Sequence, residues 1–260
     1  MSKSNFTWSD AIEAVIRQNN YVATLKILHE YAPAIYAEHN IIKGLTPHKT
    51  MDERVQRDKR FHKLVPGLYA LVATLNELPK DINPTTQTEA QKENLTHVSI
   101  QALLLQLGGF YQFQTFTPDR KKDYITQKLG DLASLAEFPK FTYERIIART
   151  RNIDVSWFNE RGMPTSIFEV ENSTDMKNGL SKFMELQDFR TKMFIVAPSR
   201  RENEFRNIFE QPTFKAIQTQ VQFWNYEKLR SSLSPSRKPT IYARKYFEAG
   251  CCFRIEALHK

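Results

Sequence analysis

The spacing of apolar residues divides the chain into an opening helical stretch, a short hairpin, a polar interval and a longer region of alternating strands and helices. Thr7-Trp8-Ser9-Asp10 precedes Ala11, Ile12, Ala14, Val15 and Ile16. That order predicts a helix capped by Ser9 or Thr7, whose side-chain oxygen can take an orphan backbone N–H. Val22, Leu25, Leu28 and Tyr31 recur at intervals of three and predict a second helix that stops near Pro33. Thr46-Pro47 reads as the cap and first position of a third helix, where proline has no bonded N–H to lose. Two runs, Phe61-His62-Lys63-Leu64-Val65 and Leu68-Tyr69-Ala70-Leu71, flank Pro66-Gly67 and predict two strands around a turn.

Residues 79–94 carry Pro79, Pro84, Thr85, Thr86, Gln87 and Thr88 with little apolar periodicity. They predict a division into a small domain at 1–78, a linker at 79–92 and a larger domain at 93–260. In the larger domain, residues 99–107 predict a strongly apolar helix closed by Gly108-Gly109, 110–116 a strand and 128–135 a helix. Residues 154–158, 166–170, 193–197 and 221–224 predict four strands. A helix carrying Leu180, Phe183, Met184 and Leu186 falls between the second and third of these, and another, around 204–220, between the third and fourth. The expectation is an α/β (α+β) domain with a mixed central sheet. The small domain's order, three helices and then a hairpin, is that of a winged helix-turn-helix.

Composition narrows the functional classes. The 260 residues are 41% hydrophobic, enough for a substantial core in one or two domains. Runs such as Ala102-Leu103-Leu104-Leu105 and Met193-Phe194-Ile195-Val196-Ala197 fall far short of the roughly 20 residues that cross a bilayer. Met1-Ser2-Lys3-Ser4-Asn5 lacks the apolar stretch of a signal peptide. The two cysteines, Cys251 and Cys252, are adjacent, so no disulfide framework is expected and a reducing cytoplasm is the simplest compartment. The six histidines are scattered without zinc spacing, and no glycine-rich nucleotide loop is present.

Charge adds a partner. Lys and Arg total 37 against 29 Asp and Glu, a net charge of +8, which favours nucleic acid or another anionic surface. Between residues 43 and 63 seven Lys or Arg face three acids, and from 200 to 260 twelve face six. Lys49, Arg54, Arg57, Lys59, Arg60 and Lys63 are therefore expected to meet double-stranded DNA, Arg reading base edges and Lys gripping phosphates. A solvated helix face is the other reading of the same residues. Further cations, Arg237, Lys238, Arg244, Lys245 and Arg254, are interleaved with Tyr242, Tyr246, Phe247 and Phe253 near the C-terminus.

The sharpest constellation is Ile153-Asp154-Val155-Ser156-Trp157-Phe158, a turn at Glu160-Arg161-Gly162, and Ile167-Phe168-Glu169-Val170-Glu171-Asn172. Two strands joined by a short turn lie side by side, which places Asp154 near Glu169 and Glu171. Period-two alternation puts the two glutamates on one face. Their apolar flanks predict central strands, where acids are seldom idle. Three converging carboxylates raise one another's pKa unless a cation sits among them, and hard oxygen donors suit Mg²⁺.

Asp154, a gap of 14 residues and then Glu169-Val170-Glu171 resembles the PD-(D/E)XK motif of restriction-endonuclease-like nucleases. The resemblance covers about residues 93–225. It includes His97-Val98-Ser99-Ile100-Gln101 through Gly108 as a first core helix, Asn172-Ser173-Thr174-Asp175 opening a helix, Phe194-Ile195-Val196-Ala197-Pro198 as the next strand, and Arg200-Arg201 before another helix. It implies Mg²⁺ held by Asp154 and Glu169, phosphodiester hydrolysis in double-stranded DNA, and a homodimer, because cutting both strands needs two sites. Ile153 stands where that family often has proline. Glu171 stands where it usually has the lysine that orients the attacking water. Glu171 then holds a second cation or acts as the base, or Lys177 or Lys182 reaches in from the following helix, or the domain binds without cutting. Residues 8–71, including Thr46-Pro47, Val55-Gln56-Arg57-Asp58, Phe61 and Gly67-Leu68-Tyr69-Ala70-Leu71, resemble the HARE-type winged helix found fused to such nucleases. Together these imply an enzyme like a type II restriction endonuclease, with a modification-dependent endonuclease or an inactive DNA-binding regulator as alternatives.

Overall fold

A computed structural model of the chain describes residues 6–42, 46–79, 82–125 and 127–232. Two compact units divide between Ser99 and Ile100.

The first unit opens with α1 (Trp8–Gln18), β1 (Val22–Thr24), α2 (Leu25–Ala37) and α3 (Pro47–Arg57), followed by β2 (Phe61–Val65) and β3 (Leu68–Leu71). The three strands form an antiparallel sheet in the order β1-β3-β2. Ile12, Ile16, Leu28, Met51, Val55 and Tyr69 meet in its core. Thr7 rather than Ser9 caps α1. Its hydroxyl accepts from Asp10 N–H at 3.3 Å while its own N–H donates to the Asp10 carboxylate at 2.7 Å, a reciprocal capping box. Thr46 takes the cap position of α3, but its side chain makes no capping bond.

Two expectations for this unit are corrected. Val22 is not helical, because Asn20 and Tyr21 turn the chain through positive φ and Val22–Thr24 then pair with Leu68–Ala70. The second helix does not stop at Pro33 but continues to Ala37. Packing holds that last turn, with Tyr36 stacked on Trp8 at 3.9 Å between ring centroids.

Helix α4 (Glu89–Phe110) is much longer than the apolar stretch that announced it. Its polar beginning, read as linker, starts with a second reciprocal cap. Thr88 N–H donates to Gln91 Oε1 at 2.9 Å, and Gln91 N–H donates to Thr88 Oγ1 at 3.3 Å. The boundary between the units falls inside α4, which leaves His97 on the first side and Gln101 on the second.

The second unit continues with β4 (Gln114–Phe116), a small hairpin of β5 (Asp123–Tyr124) and β6 (Gln127–Lys128), and two helices, α5 (Leu129–Leu132) and α6 (Glu144–Thr150). There follow β7 (Val155–Phe158), β8 (Pro164–Val170), α7 (Met176–Phe183), β9 (Lys192–Ala197), α8 (Glu202–Phe209), β10 (Val221–Asn225) and α9 (Tyr226–Ser232). The main sheet runs β10-β9-β8-β7-β4. It is mixed, parallel across β10, β9 and β8 and antiparallel across β8, β7 and β4. Gly162, at φ +70°, closes the β7–β8 turn, where a side chain is rarely tolerated.

Alternation sorts the strand residues onto two faces. Ile167, Met193 and Ile195 pack with Leu180 and Phe183 of α7 and with Phe205 of α8. The opposite face carries an aromatic stack in which Trp157, Phe168, Phe194 and Trp224 touch in sequence. Trp157 Nε1 donates to the Leu104 carbonyl at 3.1 Å, which ties α4 to that face. Among the described residues no helix is long and apolar enough to cross a membrane. The basic C-terminal stretch and Cys251-Cys252 lie outside the described residues.

Candidate active site

The site sits where β7 begins and β8 ends. Val155 pairs with Phe168 in the antiparallel register, so Asp154 and Glu169 are the next pair along and share a face. Val170 N–H donates to Asp154 Oδ2 at 2.8 Å, which fixes the carboxylate against the neighbouring strand. Beyond Val170 the parallel ladder continues for one residue, since Glu171 N–H donates to the Val196 carbonyl. Glu169 and Glu171 are 3% and 4% exposed, so two acids lie inside the domain rather than on its rim.

Helix α7 covers them. Asp175 caps it by accepting from Lys177 N–H at 2.9 Å. Gly179 faces the acids: a Cβ there would lie 2.7 Å from Glu171 Oε1 and 3.4 Å from Glu169 Cβ, so only glycine lets the helix approach this closely. Lys182, one turn further on, donates from Nζ to both Glu169 oxygens at 2.9 Å and to the Asn152 carbonyl at 3.3 Å. Lys177 is exposed in the first turn. Of the two lysines offered by the sequence, Lys182 is thus the one brought to the acids.

Electrostatics follow from this crowding. Burial pushes the Glu169 carboxyl well above its ordinary range, Asp154 pushes in the same direction, and Lys182 opposes them. Burial also raises Glu171, against the hydrogen bond it accepts from Thr174 Oγ1. Lys182 is drawn down by burial, but the pull of Glu169 outweighs this and leaves it above its usual value and charged. Three acids against one lysine leave an excess of negative charge, and every donor on offer is a hard oxygen. The residues therefore fit a divalent cation such as Mg²⁺.

Several supporting residues had no role assigned from the sequence. Arg201, 9% exposed, donates to the Glu171 carbonyl and the Thr174 carbonyl, both at 2.8 Å, and pairs with Glu204. It braces the turn between β8 and α7. Gln101 of α4 donates from Nε2 to Asp119 Oδ2 at 2.8 Å and to Asp154 Oδ1 at 3.2 Å. The signals were present but faint: one of two amides, Gln101 and Gln106, inside an apolar helix run, and an Asp after Pro118 at a strand's end.

In the first unit, Lys49, Arg54, Arg57, Lys59 and Lys63 are exposed on α3, the following turn and β2. Arg57 pairs with Glu53 one helical turn away. Arg60 differs from these, because its guanidinium is bonded to Asp58, Asp10 and Glu13.

A mixed α/β domain with buried acids converging at the ends of adjacent strands defines the class. Residues 77–246 match the family model described as the type II restriction enzyme NmeDI C-terminal domain, and the chain belongs to that family. The type II restriction enzyme NmeDI of Neisseria meningitidis serogroup C is 25% identical, over 77% of this chain and 65% of the relative. The chain thus spans just under two thirds of that relative's length. No solved structure matches it with significance.

Proposed function

We propose that the chain is a Mg²⁺-dependent double-stranded DNA endonuclease, like a type II restriction enzyme, built on a PD-(D/E)XK core. The observation that carries this reading is Lys182 gripping Glu169 beside Asp154. It supplies from a helix the positive charge that the strand position, Glu171, lacks. Asp154 and Glu169 would hold the Mg²⁺, which when bound polarises a scissile phosphate and acidifies water. Lys182, charged at neutral pH, would orient the attacking water by exchanging its long bond to the Asn152 carbonyl for one to the water. Glu171, a carboxylate whose proton affinity burial raises, is suited to accept the proton that the water loses. Arg201 positions Glu171 through its backbone.

The first unit then serves as a HARE-type winged helix, with α3 entering a groove and Lys49, Arg54, Arg57, Lys59 and Lys63 meeting phosphates or base edges. Arg60, with its three acidic partners, acts there mainly as a structural tie. Two copies acting as a homodimer would cut both strands.

A second reading, a DNA-binding regulator with an inactive nuclease fold, draws on Glu171 standing in the lysine's place. Plasmid DNA, methylated and unmethylated, incubated with and without Mg²⁺ decides between the two. Cleavage that needs Mg²⁺ and disappears in Asp154→Ala and Glu169→Ala is the expected result. Cleavage retained in either variant removes the proposed site, and binding without cleavage of either plasmid favours the regulator.

A further inference from the structure

The turn after β4 carries a lysine to the Asp154 side of the site. Asp119 N–H donates to Thr117 Oγ1 at 3.2 Å, and Lys122 N–H donates back to the Asp119 carbonyl at 3.0 Å. Arg120 clamps this turn. Its guanidinium donates to the Leu135 and Gly130 carbonyls at 2.6 and 3.3 Å, and Gly130 N–H donates to the Arg120 carbonyl at 3.0 Å. Leu129 N–H closes the far end on the Lys122 carbonyl at 3.0 Å. The backbone that carries Lys122 is therefore fixed on both sides. Lys122 Nζ donates to Asp119 Oδ2 at 2.8 Å. Gln101 Nε2 donates to that same oxygen at 2.8 Å and to Asp154 Oδ1 at 3.2 Å. Only two side chains, Asp119 and Gln101, thus stand between the Lys122 ammonium and Asp154.

We propose that Lys122 grips a DNA backbone phosphate flanking the scissile one, with Asp119 aiming its ammonium. The Lys122 and Asp119 side chains are 40% and 26% exposed, so their pair is open to solvent and weak. The bond to Asp119 takes one of three ammonium protons and leaves two for a phosphate oxygen. Should the ammonium move outward, Asp119 keeps the Gln101 amide, so no carboxylate is stranded. Lys182 is differently placed, since its bonds run to Glu169 and Asn152. Charge complementarity selects the occupant. A phosphodiester that approaches Asp154, Glu169 and Glu171 meets repulsion, and a cation on a rigid turn beside them offsets it. Lys121, exposed one residue earlier, adds to the same charge. The contact rests on the reading that Asp154 and Glu169 face the scissile phosphate, and adds to it a residue that holds the neighbouring strand segment in place.

Fluorescence anisotropy of a fluorescein-labelled duplex of arbitrary sequence, titrated with the full chain over a series of salt concentrations, tests this. Ca²⁺ replaces Mg²⁺ to fill the oxygen donors. Lys122→Met is expected to lower the slope of log affinity against log salt by about one, and to weaken binding about eightfold at about 0.1 M salt. A partly unfolded sample lowers the bound fraction but not the slope. Lys122→Arg keeps the slope. So does Lys215→Met, which removes the same charge from an exposed position between α8 and β10. A wild-type slope in Lys122→Met, an equal loss in Lys215→Met, or no binding by the wild-type chain overturns the contact. A lowered slope in a chain that cuts neither plasmid keeps the contact and defeats the endonuclease reading. Mg²⁺-dependent cleavage with an unchanged slope does the reverse.

Discussion

Lys182 reaches from the last turn of α7 to both carboxylate oxygens of Glu169, 2.9 Å from each. The pair joins residues 13 apart in sequence and sets a positive charge beside the buried acids. Lys182→Met is expected to slow Mg²⁺-dependent cleavage about 100-fold, the scale of a misplaced reacting group, while DNA affinity stays within a few-fold. Lys182→Arg keeps the charge but not the compact ammonium, and is expected to fall between the two. Single-turnover cleavage alongside a filter-binding isotherm separates the effects. A wild-type rate in Lys182→Met defeats the role.

Mg²⁺ is expected to stabilise the fold as well as support chemistry. At about ten times its dissociation constant an ion that binds only the folded chain adds about 1.4 kcal/mol. The wild-type melting temperature should rise with Mg²⁺ and fall back on chelation, and Asp154→Ala should lose most of that rise. An equal rise in the variant would place the ion elsewhere.

Gly179 is the point of closest approach between α7 and the acids. Gly179→Ala puts a methyl group 2.7 Å from Glu171 Oε1. Overpacking of this kind costs about 1–3 kcal/mol, against the usual benefit of alanine over glycine inside a helix. Urea denaturation is expected to show a net loss. A gain would mean that α7 can shift outward freely.

The first unit should be sensitive to acid. Hydrogen bonds from Arg60 hold the Asp58 carboxyl down at about 2, and Asp10 is lowered by Thr7 and Arg60. A lowered folded-state value means that the unfolded chain takes up the proton first. The stability these groups add is present above about pH 4 and is lost as pH falls through about 2. Asp58→Asn should flatten that part of the stability curve, as read from denaturant midpoints at several pH values. An unchanged slope contradicts the assignment.

The cations of the first unit should separate by function. Lys49→Ala and Arg54→Ala are each expected to lower the salt dependence of DNA binding by about one unit per phosphate contact. Arg60→Ala is expected to lower stability instead, because three acids lose their partner. A reduced salt slope in Arg60→Ala with unchanged stability would reverse that assignment.

What could be read from the sequence and what could not have physical reasons. Asp154, Glu169 and Glu171 were legible because strand periodicity is strict and their neighbours are apolar, so register alone places them together. Lys182 was one of two candidates, since helix spacing gives a face but not the rotation that Gly179 permits. Gln101 and Asp119 meet through the packing of a helix on a sheet, which no local pattern encodes. The same limit explains the misread elements. Val22 and Leu25 share the three-residue interval of a helix, yet sheet pairing takes Val22, and the Tyr36–Trp8 stack carries α2 past Pro33.

Placing Lys182 on a helix changes which mutations this cluster of acids can tolerate. A charge on a strand is held by the pleat, where a lost or gained residue can be absorbed by a bulge. A helix has no such slack, because each added residue turns everything beyond it by about 100°. Inserting a single alanine between Gly179 and Lys182 would swing the ammonium about 100° around α7, off the face that meets the acids, while leaving every acid in place. The segment from Asp175 to Lys182 is therefore a gauge of fixed length, in which substitutions are negotiable but insertions and deletions are not.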